Sequence, residues 1–387
     1  MNQLDTLRAA LAEREAQSLI RTRRVIESPC APRVTVDGQP MLAFCSNDYL
    51  GLANNPTLAA ALEAGARRWG TGAGASHLVS GHYAAHEALE ARLAAFLGCE
   101  SALSFSTGYM VNAGIAAALA GRGDAIFADR LNHASLVDGV LLSRAEHQRY
   151  AHADMDALSR LLETSDARRK VILTDSVFSM DGDVAPLARL LALAEQHDAW
   201  LVVDDAHGFG VLGPQGRGAL AEAGLDSWRL ICIGTLGKAA GVSGAFVAGH
   251  RDVIAYLMQH MRTYIFTTAA PPAIAHTLLT AVDLIESGDA RRARLLDLET
   301  QLAQGLQNSA WTLMPSRTPI QPVILGDNDT ALGVARALWE RQLWVPAIRP
   351  PTVPAGTARL RISLTAAHTA DDVARLIHAL TDLQAIA

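Results

Sequence analysis

Three reactive side chains follow apolar segments in the middle of the sequence: the amine of Lys238, the carboxylate of Asp204 and the imidazole of His207. Lys238 lies among small residues, directly after an apolar segment, where partial desolvation lowers the pKa of an amine toward nucleophilic competence. Such a lysine can form a Schiff base, and a carboxylate at the end of a neighbouring strand can pair with a pyridinium nitrogen. These residue types therefore predict pyridoxal phosphate chemistry.

Other polar residues also follow short apolar segments. From about Ala102 onward these segments alternate with helical patterns, which predicts βα units and an α/β fold with a mostly parallel sheet covered on both faces. The carboxyl ends of such strands meet at one edge of the sheet, where the ligand crevice lies. The residues expected to converge there are Thr107, Gly108, Tyr109, His133, Ser179, Asp204, His207, Thr235 and Lys238.

Two glycine-rich segments have the composition of nucleotide-binding motifs, but neither stands between a predicted strand and a predicted helix, as such motifs do. Residues 208–213 read GxGxxG after a predicted strand, but Pro214 and further glycines follow, which predicts a loop and not a helix. Residues 70–74 follow a helical pattern. Neither segment would therefore offer a helix N-terminus to a phosphate. Residues 107–109 instead end a strand and begin a helical segment, so their backbone N–H groups can face a phosphate.

Several polar side chains allow two interpretations. Asp204 and Asp205 are adjacent, and neighbours on a strand point to opposite faces, so the sequence alone does not choose between them. His133 can stack on a cofactor ring or act as a general acid, or it can belong to a solvated helix start capped by Asn132 or Ser135.

The histidines near residue 80 do not predict a metal site. His82 and His86 are spaced so that they can share one face of a helix, but no third ligand is apparent and the HExxH order is absent. His77, in the preceding glycine-rich segment, is assigned no role.

Composition narrows the class of protein. The chain has 387 residues, 50% of them hydrophobic, and a formal net charge of −6, which suits one large and one smaller domain and argues against a nucleic-acid partner. The four cysteines show no CxxC pairing. No leader pattern is present, and no apolar run approaches the roughly 20 residues that span a bilayer. We therefore expect a cytoplasmic protein with neither a nucleic-acid nor a membrane partner.

The pattern along the chain predicts an N-terminal helix and arm (1–45), a large cofactor-binding domain (46–286) and a small C-terminal α/β domain (287–387). The second boundary rests on a change of character near Ser287, followed by an Arg-rich helical segment and new strand signals. An amphipathic helix that packs on another surface is predicted from Leu4 to Arg24. Its apolar residues are Leu4, Leu7, Leu11 and Ile20.

Several segments together resemble the α-oxoamine synthase family of pyridoxal phosphate enzymes, over nearly the whole chain. The segments are Ser46-Asn-Asp-Tyr-Leu-Gly-Leu, Ser80-Gly-His, Phe178-Ser-Met-Asp-Gly-Asp, Val203-Asp-Asp-Ala-His-Gly, Gly237-Lys238 and Ile348-Arg-Pro-Pro-Thr-Val-Pro-Ala-Gly-Thr. The resemblance implies a homodimer of fold type I, the aspartate-aminotransferase-like fold. It places the active site at the subunit interface.

Carried over to this sequence, the resemblance implies a role for each matching residue. Lys238 would bind the cofactor covalently, Asp204 would pair with its pyridine nitrogen, and His207 would donate a hydrogen bond to its phenolic oxygen. His133 would stack on the ring, and Ser179 would lie near the cofactor. The implied phosphate-binding positions are Gly108, Tyr109 and Thr235, with Thr268 reaching over from the neighbouring subunit. The implied substrate positions are Arg21, Asn47, His133, Arg349 and Thr352.

Arg349 and Tyr109 are two implied positions whose side chains bear on the resemblance in different ways. Arg349 has a direct physical rationale, because its planar guanidinium can bind an amino-acid carboxylate through two hydrogen bonds. Tyr109 stands where members of the family often carry phenylalanine, which leaves a backbone contact to phosphate intact.

The resemblance also implies an activity: condensation of L-alanine with a pimeloyl thioester, carried on coenzyme A or acyl carrier protein, with loss of CO2 and free thiol, in biotin biosynthesis. Lys238 would remove the α-proton, and His133 would assist reprotonation. One alternative is a family member that uses glycine with another acyl-CoA, such as 2-amino-3-ketobutyrate ligase or 5-aminolevulinate synthase. Another is a non-catalytic partner subunit of the same fold.

Overall fold

The computed structural model describes residues 2–17, 19–307 and 309–384 of the chain. Its strands are β1 Arg33–Val36, β2 Gln39–Ala43, β3 Ser101–Phe105, β4 Ala125–Asp129, β5 Glu146–Tyr150, β6 Lys170–Asp175, β7 Ala199–Asp204, β8 Leu230–Thr235, β9 Ala245–Gly249, β10 Thr312–Leu313, β11 Ile320–Gly326, β12 Leu343–Trp344, β13 Ala347–Ile348 and β14 Ala358–Ser363.

The helices lie between these strands and at the two ends of the chain. They are α1 Gln3–Ala16, α2 Pro56–Trp69, α3 Ala84–Leu97, α4 Gly108–Leu119, α5 Ala134–Ser143, α6 Met155–Glu163, α7 Leu187–Gln196, α8 Ala219–Glu222, α9 Arg251–His260, α10 Arg262–Ile265, α11 Pro272–Glu286, α12 Asp289–Leu306, α13 Asn328–Glu340 and α14 Ala370–Gln384. A π-helical turn spans His77–Gly81, and a 3-10 turn spans Pro214–Gly216.

A seven-stranded sheet in the order β3-β9-β8-β7-β6-β4-β5 forms the centre of the molecule. All neighbouring pairs from β8 to β5 are parallel, and β9 is antiparallel to both of its neighbours. The register places Asp175 at the end of β6 opposite Asp204 at the end of β7. Two carboxylates thus lie side by side at the edge where the sequence predicts the ligand crevice.

The strands β4, β6, β7, β8 and β9 are mostly apolar and buried, because helices cover both faces of the sheet. Ile172 and Val203 face a core that includes Leu89 of α3 and Leu278 of α11. Leu173, the neighbour of Ile172, points to the opposite face and packs in a second core with residues of α4, α5 and α9. The predicted α/β fold with a mostly parallel sheet is therefore confirmed.

Two smaller sheets complete the fold. The strands β10, β11, β14 and β13 form an antiparallel sheet near the C-terminus, and β1, β2 and β12 form a mixed one. The parallel pairing of β2 with β12 ties the N-terminal arm to the C-terminal part of the chain. The division into three segments at residues 45 and 286 stays a prediction.

Two elements differ from expectation. The strand β5 was not anticipated, because its sequence Glu-His-Gln-Arg-Tyr is polar; it lies at the end of the large sheet, where one side is unpaired. The N-terminal helix ends at Ala16, not near Arg24, and none of its residues is buried, Leu7 being 63% exposed. Its apolar side chains therefore do not pack against the rest of the described chain.

None of the helices that the structure describes combines the length and apolar composition needed to cross a lipid bilayer.

Candidate active site

A chain of hydrogen bonds begins at the amine of Lys238, which follows the end of β8. Its Nζ lies 2.8 Å from Nε2 of His207, and Nδ1 of the same ring lies 2.6 Å from the hydroxyl of Tyr49. The Tyr49 hydroxyl donates to Oδ1 of Asn47 at 3.2 Å. Because that proton points to Asn47, Nδ1 of His207 is the donor to the tyrosine oxygen, and Nε2 is left to accept from Lys238.

Burial shifts the proton affinity of both nitrogen bases in this chain. Desolvation lowers the pKa of Lys238 to about 8, although the nearby carboxylates of Asp204 and Asp175 act in the opposite direction. Desolvation, together with the charge of Lys238, holds the pKa of His207 well below its usual value. The site therefore contains a neutral imidazole beside an amine that loses its proton close to neutral pH.

The structure distinguishes the two adjacent carboxylates. Oδ2 of Asp204 accepts from Nδ2 of Asn112 at 2.6 Å, on the side of the sheet that also carries Lys238. Asp205 points to the other side, where it accepts from the Ser176 hydroxyl at 2.5 Å and from the Ala219 amide at 3.0 Å. Only Asp204 is thus available to a ligand beside Lys238.

His133 lies in the segment between β4 and α5, and its backbone and ring are both anchored. Its amide donates to Oδ2 of Asp175 at 2.7 Å, and its Nδ1 lies 2.6 Å from the hydroxyl of Ser135. Asn112 donates to the same hydroxyl at 2.9 Å and so connects His133 with Asp204. The ring lies on the open wall of the crevice, where partial desolvation lowers its pKa. His133 itself caps α5, accepting from the Ser135 amide at 3.3 Å, whereas the alternative interpretation gave that role to Asn132 or Ser135.

Asp175 and Asn112 are buried functional candidates that the sequence did not single out. Burial and the charge of Asp204 raise the pKa of Asp175 well above its usual value. Asp175 ends an apolar strand, as Asp204 does, and this position could have revealed Asp175 as a candidate. Asn112 lies inside the apolar helix α4, where a single polar side chain was the available signal.

The start of α4 forms a cradle suited to an anion. Thr107 caps the helix, accepting from the Met110 amide at 3.3 Å, so the first amides of the helix point out of its N-terminus. Gly108 leaves this end open, because a Cβ there would lie 3.9 Å from the side chain of Thr235. Gly108 and Thr235 therefore lie together, with Tyr109 next to Gly108 in the first turn of α4; their role in phosphate binding stays a prediction. Thr268 is exposed, and its backbone pairs with that of Ser76.

Arg361 of β14 reaches the site from the C-terminal sheet and was missed from the sequence. Its Nε donates to the carbonyl oxygen of Ser179 at 2.5 Å, and its terminal nitrogens lie 3.3 Å from Oδ1 of Asn47. The side chain is buried, so the guanidinium is held rigidly beside the end of the Lys238–His207–Tyr49 chain. The sequence feature that could have revealed Arg361 is a pair of arginines that alternate with apolar residues in one strand, Ala-Arg-Leu-Arg-Ile-Ser.

The remaining predicted substrate residues lie at the edges of this arrangement. Arg349 directly follows β13 and is half-buried, and its carbonyl oxygen accepts from the amide of Thr352 at 3.1 Å. Arg21 is exposed on the segment that follows α1. The structure thus groups Arg349 with Thr352, whereas Arg21 lies on the N-terminal arm.

These groups fit pyridoxal phosphate. An amine able to attack its aldehyde, a buried carboxylate for its ring nitrogen, an imidazole for its ring face and a helix N-terminus for its phosphate occur in one crevice. The chain belongs to the aminotransferase class I and II family, whose model matches residues 39–380. Fold and site together define a pyridoxal-phosphate-dependent enzyme of fold type I, as the sequence predicts.

Comparison with known proteins narrows the class further. The chain is 71% identical over 382 residues to an 8-amino-7-oxononanoate synthase from Aromatoleum aromaticum, covering 99% of each. A solved structure of an 8-amino-7-oxononanoate synthase from Francisella tularensis superposes with a TM-score of 0.77 at 32% identity, covering 89% of this chain and 97% of that one. A structure of SPT with pyridoxal phosphate superposes with a TM-score of 0.93 at 30% identity, covering 99% and 98%.

Proposed function

We propose that this chain is an 8-amino-7-oxononanoate synthase, which condenses L-alanine with a pimeloyl thioester and releases CO2 and free thiol. The observation that supports the reaction class most directly is the contact between the Lys238 amine and the neutral His207 imidazole, beside the buried Asp204 carboxylate. The 71% identical relative is named for the product of this reaction, which supports the substrate pair.

Lys238 would serve twice. Its amine would hold the cofactor covalently, and once freed by the amino-acid substrate it would accept the α-proton of that substrate. A pKa of about 8 suits both roles, because about a tenth of the amine is unprotonated at pH 7, far more than for a lysine at its usual pKa. When bound, pyridoxal phosphate supplies the electron sink for the resulting carbanion.

Asp204 would keep the ring nitrogen of the cofactor protonated. Its two oxygens are oriented by Asn112 and by the amide of Ala206, which fixes the direction of the remaining lone pairs. His133 would cover the ring face and later assist the return of a proton to the product carbon. Desolvation lowers its pKa, so the ring would first take up a proton from the solvent at the open side of the crevice and then pass it on.

Arginine and amide groups would recognise the substrate. Arg361 and Asn47 contact each other at the end of the His207–Tyr49 chain, where they can bind the carboxylate of L-alanine. Arg349 can form two parallel hydrogen bonds to a carboxylate, and we assign it to substrate binding with Thr352 and Arg21. Gly108, Tyr109, Thr235 and Ser179 would hold the cofactor.

A homodimer with active sites at the subunit interface and a cytoplasmic location are further parts of this proposal. Thr268 would then complete the phosphate site of the neighbouring subunit. Its exposure on the single chain is compatible with that role.

The visible absorption of the purified protein tests the proposed chemistry. We expect a band from lysine-bound pyridoxal phosphate that changes on addition of L-alanine, and borohydride should fix the cofactor to the peptide that contains Lys238. A band that responds to glycine but not to L-alanine would transfer the chain to the glycine-using members. Absence of such a band after cofactor is supplied would indicate a non-catalytic subunit.

A further inference from the structure

Three imidazoles converge at the segment that leads into α3. His77 lies on the π-helical turn, His82 follows that turn, and His86 lies in the first turn of α3. One ring nitrogen from each lies within 4.8 Å of the corresponding nitrogens of the other two. The turn folds the chain back on itself, so it supplies the third imidazole that the spacing of His82 and His86 did not reveal.

The hydrogen bonds around two of these rings orient a lone pair on each. Nε2 of His82 lies 3.0 Å from a carboxylate oxygen of Glu87, and Nε2 of His86 lies 2.9 Å from the carbonyl oxygen of Ala270. Because these oxygens only accept, each neutral ring carries its proton on Nε2 and its lone pair on Nδ1. Metal-binding histidines are typically held in this way, with the second nitrogen donating to a carboxylate or carbonyl.

His77 is preoriented as well. Its ring stacks on Tyr264 with centroids 4.9 Å apart and planes 8° from parallel, and its Nδ1 lies 2.9 Å from Nδ1 of His82. Only one proton fits between those two nitrogens, and a cation can take its place. Burial and the neighbouring imidazoles lower the pKa of His77 to about 4, so the ring is neutral at pH 7, the form that binds metals.

We propose that His77, His82 and His86 form a binding site for one Zn²⁺ ion. Imidazole nitrogen suits Zn²⁺, whereas Mg²⁺ and Ca²⁺ prefer oxygen ligands, and three protein ligands leave one tetrahedral position for water. On binding, Nδ1 of His86 exchanges its contact with the Tyr83 amide, 3.0 Å long, for the metal. The proton between His77 and His82 moves to Nε2 of His77, so that the ring stays neutral and its Nδ1 is free to bind the metal.

The ion would have a structural role. It would tie the π-helical turn to the start of α3, next to the backbone pairing of Ser76 with Thr268. The amide of Ala269 also donates to the carbonyl oxygen of Ala75 at 3.0 Å, so both segments are anchored at this point. Zn²⁺ should therefore stabilise the folded chain without entering the reaction, and the proposal stands independently of the proposed function.

Calorimetric titration of the untagged, cofactor-loaded enzyme with Zn²⁺, after chelator treatment and dialysis, tests the site. We expect one Zn²⁺ per chain and a loss of affinity of about 100-fold in His82→Gln, because one of three ligands is removed. His82 is exposed, so its substitution should preserve the fold. His378→Gln, whose side chain is 81% exposed on α14, is the matched control and should bind Zn²⁺ like the unaltered enzyme.

A second measurement separates this site from the cofactor crevice. Zn²⁺, but not Mg²⁺, should raise the thermal unfolding midpoint of the unaltered enzyme and of His378→Gln, and should leave that of His82→Gln unchanged. The visible band of the cofactor should not change in any of the three. Equal Zn²⁺ binding by His82→Gln, no binding by the unaltered enzyme, or a Zn²⁺-induced change of the cofactor band would overturn the proposal.

Discussion

At the scale of single residues, the site is organised by side chains that orient other side chains. Asn112 donates both to Asp204 and to Ser135, and Asp175 holds the backbone of His133. The carboxylates of Asp175 and Asp204 stand opposite each other at the ends of β6 and β7. Their combined charge opposes the effect of burial on Lys238, so the pKa of this amine reflects a balance between the two.

That balance predicts a pH dependence. Attachment of the cofactor needs a neutral Lys238 amine, so the rate of covalent attachment to the apoenzyme should rise with pH and level off above about 8. Below that value the rate should change about tenfold per pH unit. Borohydride trapping at a series of pH values, followed by counting of fixed cofactor, measures the profile.

Asp204→Asn provides the comparison for this profile. It removes a carboxylate that raises the pKa of Lys238, so its midpoint should lie at a lower pH than that of the unaltered enzyme. A midpoint near 10.5, the ordinary value for a lysine, in either protein would show that Lys238 is not desolvated as described.

At the scale of elements, the alternation of side chains at the end of β7 points Asp204 and Asp205 to opposite sides of the sheet. Asp204 faces the crevice, and Asp205 accepts from Ser176 and from the amide of Ala219, which starts α8. Desolvation raises the pKa of Asp205 to about 7. Asp205 thus fixes the loop after β7, and that loop also carries His207.

Gly218, next to this carboxylate, tests that arrangement. Its φ is +95°, and a Cβ there would lie 1.9 Å from Oδ2 of Asp205, so Gly218→Ala adds both backbone strain and a clash. We expect a loss of about 3 kcal/mol in the free energy of unfolding, measured as a lower denaturation midpoint.

Gly224→Ala is the matched control for Gly218→Ala. Its φ is +63°, but a Cβ there meets nothing within 4 Å, so only the backbone term of about 1 kcal/mol applies. Equal losses in the two variants would contradict the account of the Asp205 loop.

At the scale of the whole molecule, the C-terminal sheet holds the loop that follows β6 on the large sheet. Arg361 contacts the carbonyl oxygen of Ser179, and Arg359 forms an ion pair with Asp181 and a 3.1 Å hydrogen bond to the carbonyl oxygen of Met180. The Arg359 side chain is only 4% exposed. A buried ion pair that loses one partner leaves an uncompensated charge.

Arg359→Met should therefore destabilise the enzyme by about 3–5 kcal/mol, since Asp181 would keep its charge in a poorly solvated position. Cofactor affinity should fall with it, because Ser179 lies in the same loop. Thermal unfolding and cofactor titration measure the two effects.

Arg189→Met removes the exposed Arg189–Asp156 ion pair, whose side chains are 66% and 79% exposed, and should cost less than about 1 kcal/mol. A similar loss in both arginine variants would show that the contact between the sheets does not fix the loop.

The sequence predicted those features of the fold and the site whose patterns lie within a few consecutive residues, and it missed those that depend on contacts between distant residues. Apolar strands followed by polar residues revealed the sheet, Lys238, Asp204 and His207, because each such signal lies within a few consecutive residues. Arg361 contacts Asn47 across 314 positions of sequence, and no local pattern encodes such a contact. The polar edge strand β5 was missed for a related reason, since its pairing with β4 and not its own composition makes it a strand.

The central claim, that Lys238 carries out a condensation of L-alanine with a pimeloyl thioester, is tested most directly by release of free thiol. Purified enzyme should release thiol from pimeloyl-CoA or pimeloyl-[acyl-carrier protein] only when L-alanine is present, with formation of 8-amino-7-oxononanoate. Lys238→Ala should fold and show no release. Thiol release that needs glycine in place of L-alanine, or undiminished release by Lys238→Ala, would contradict the account.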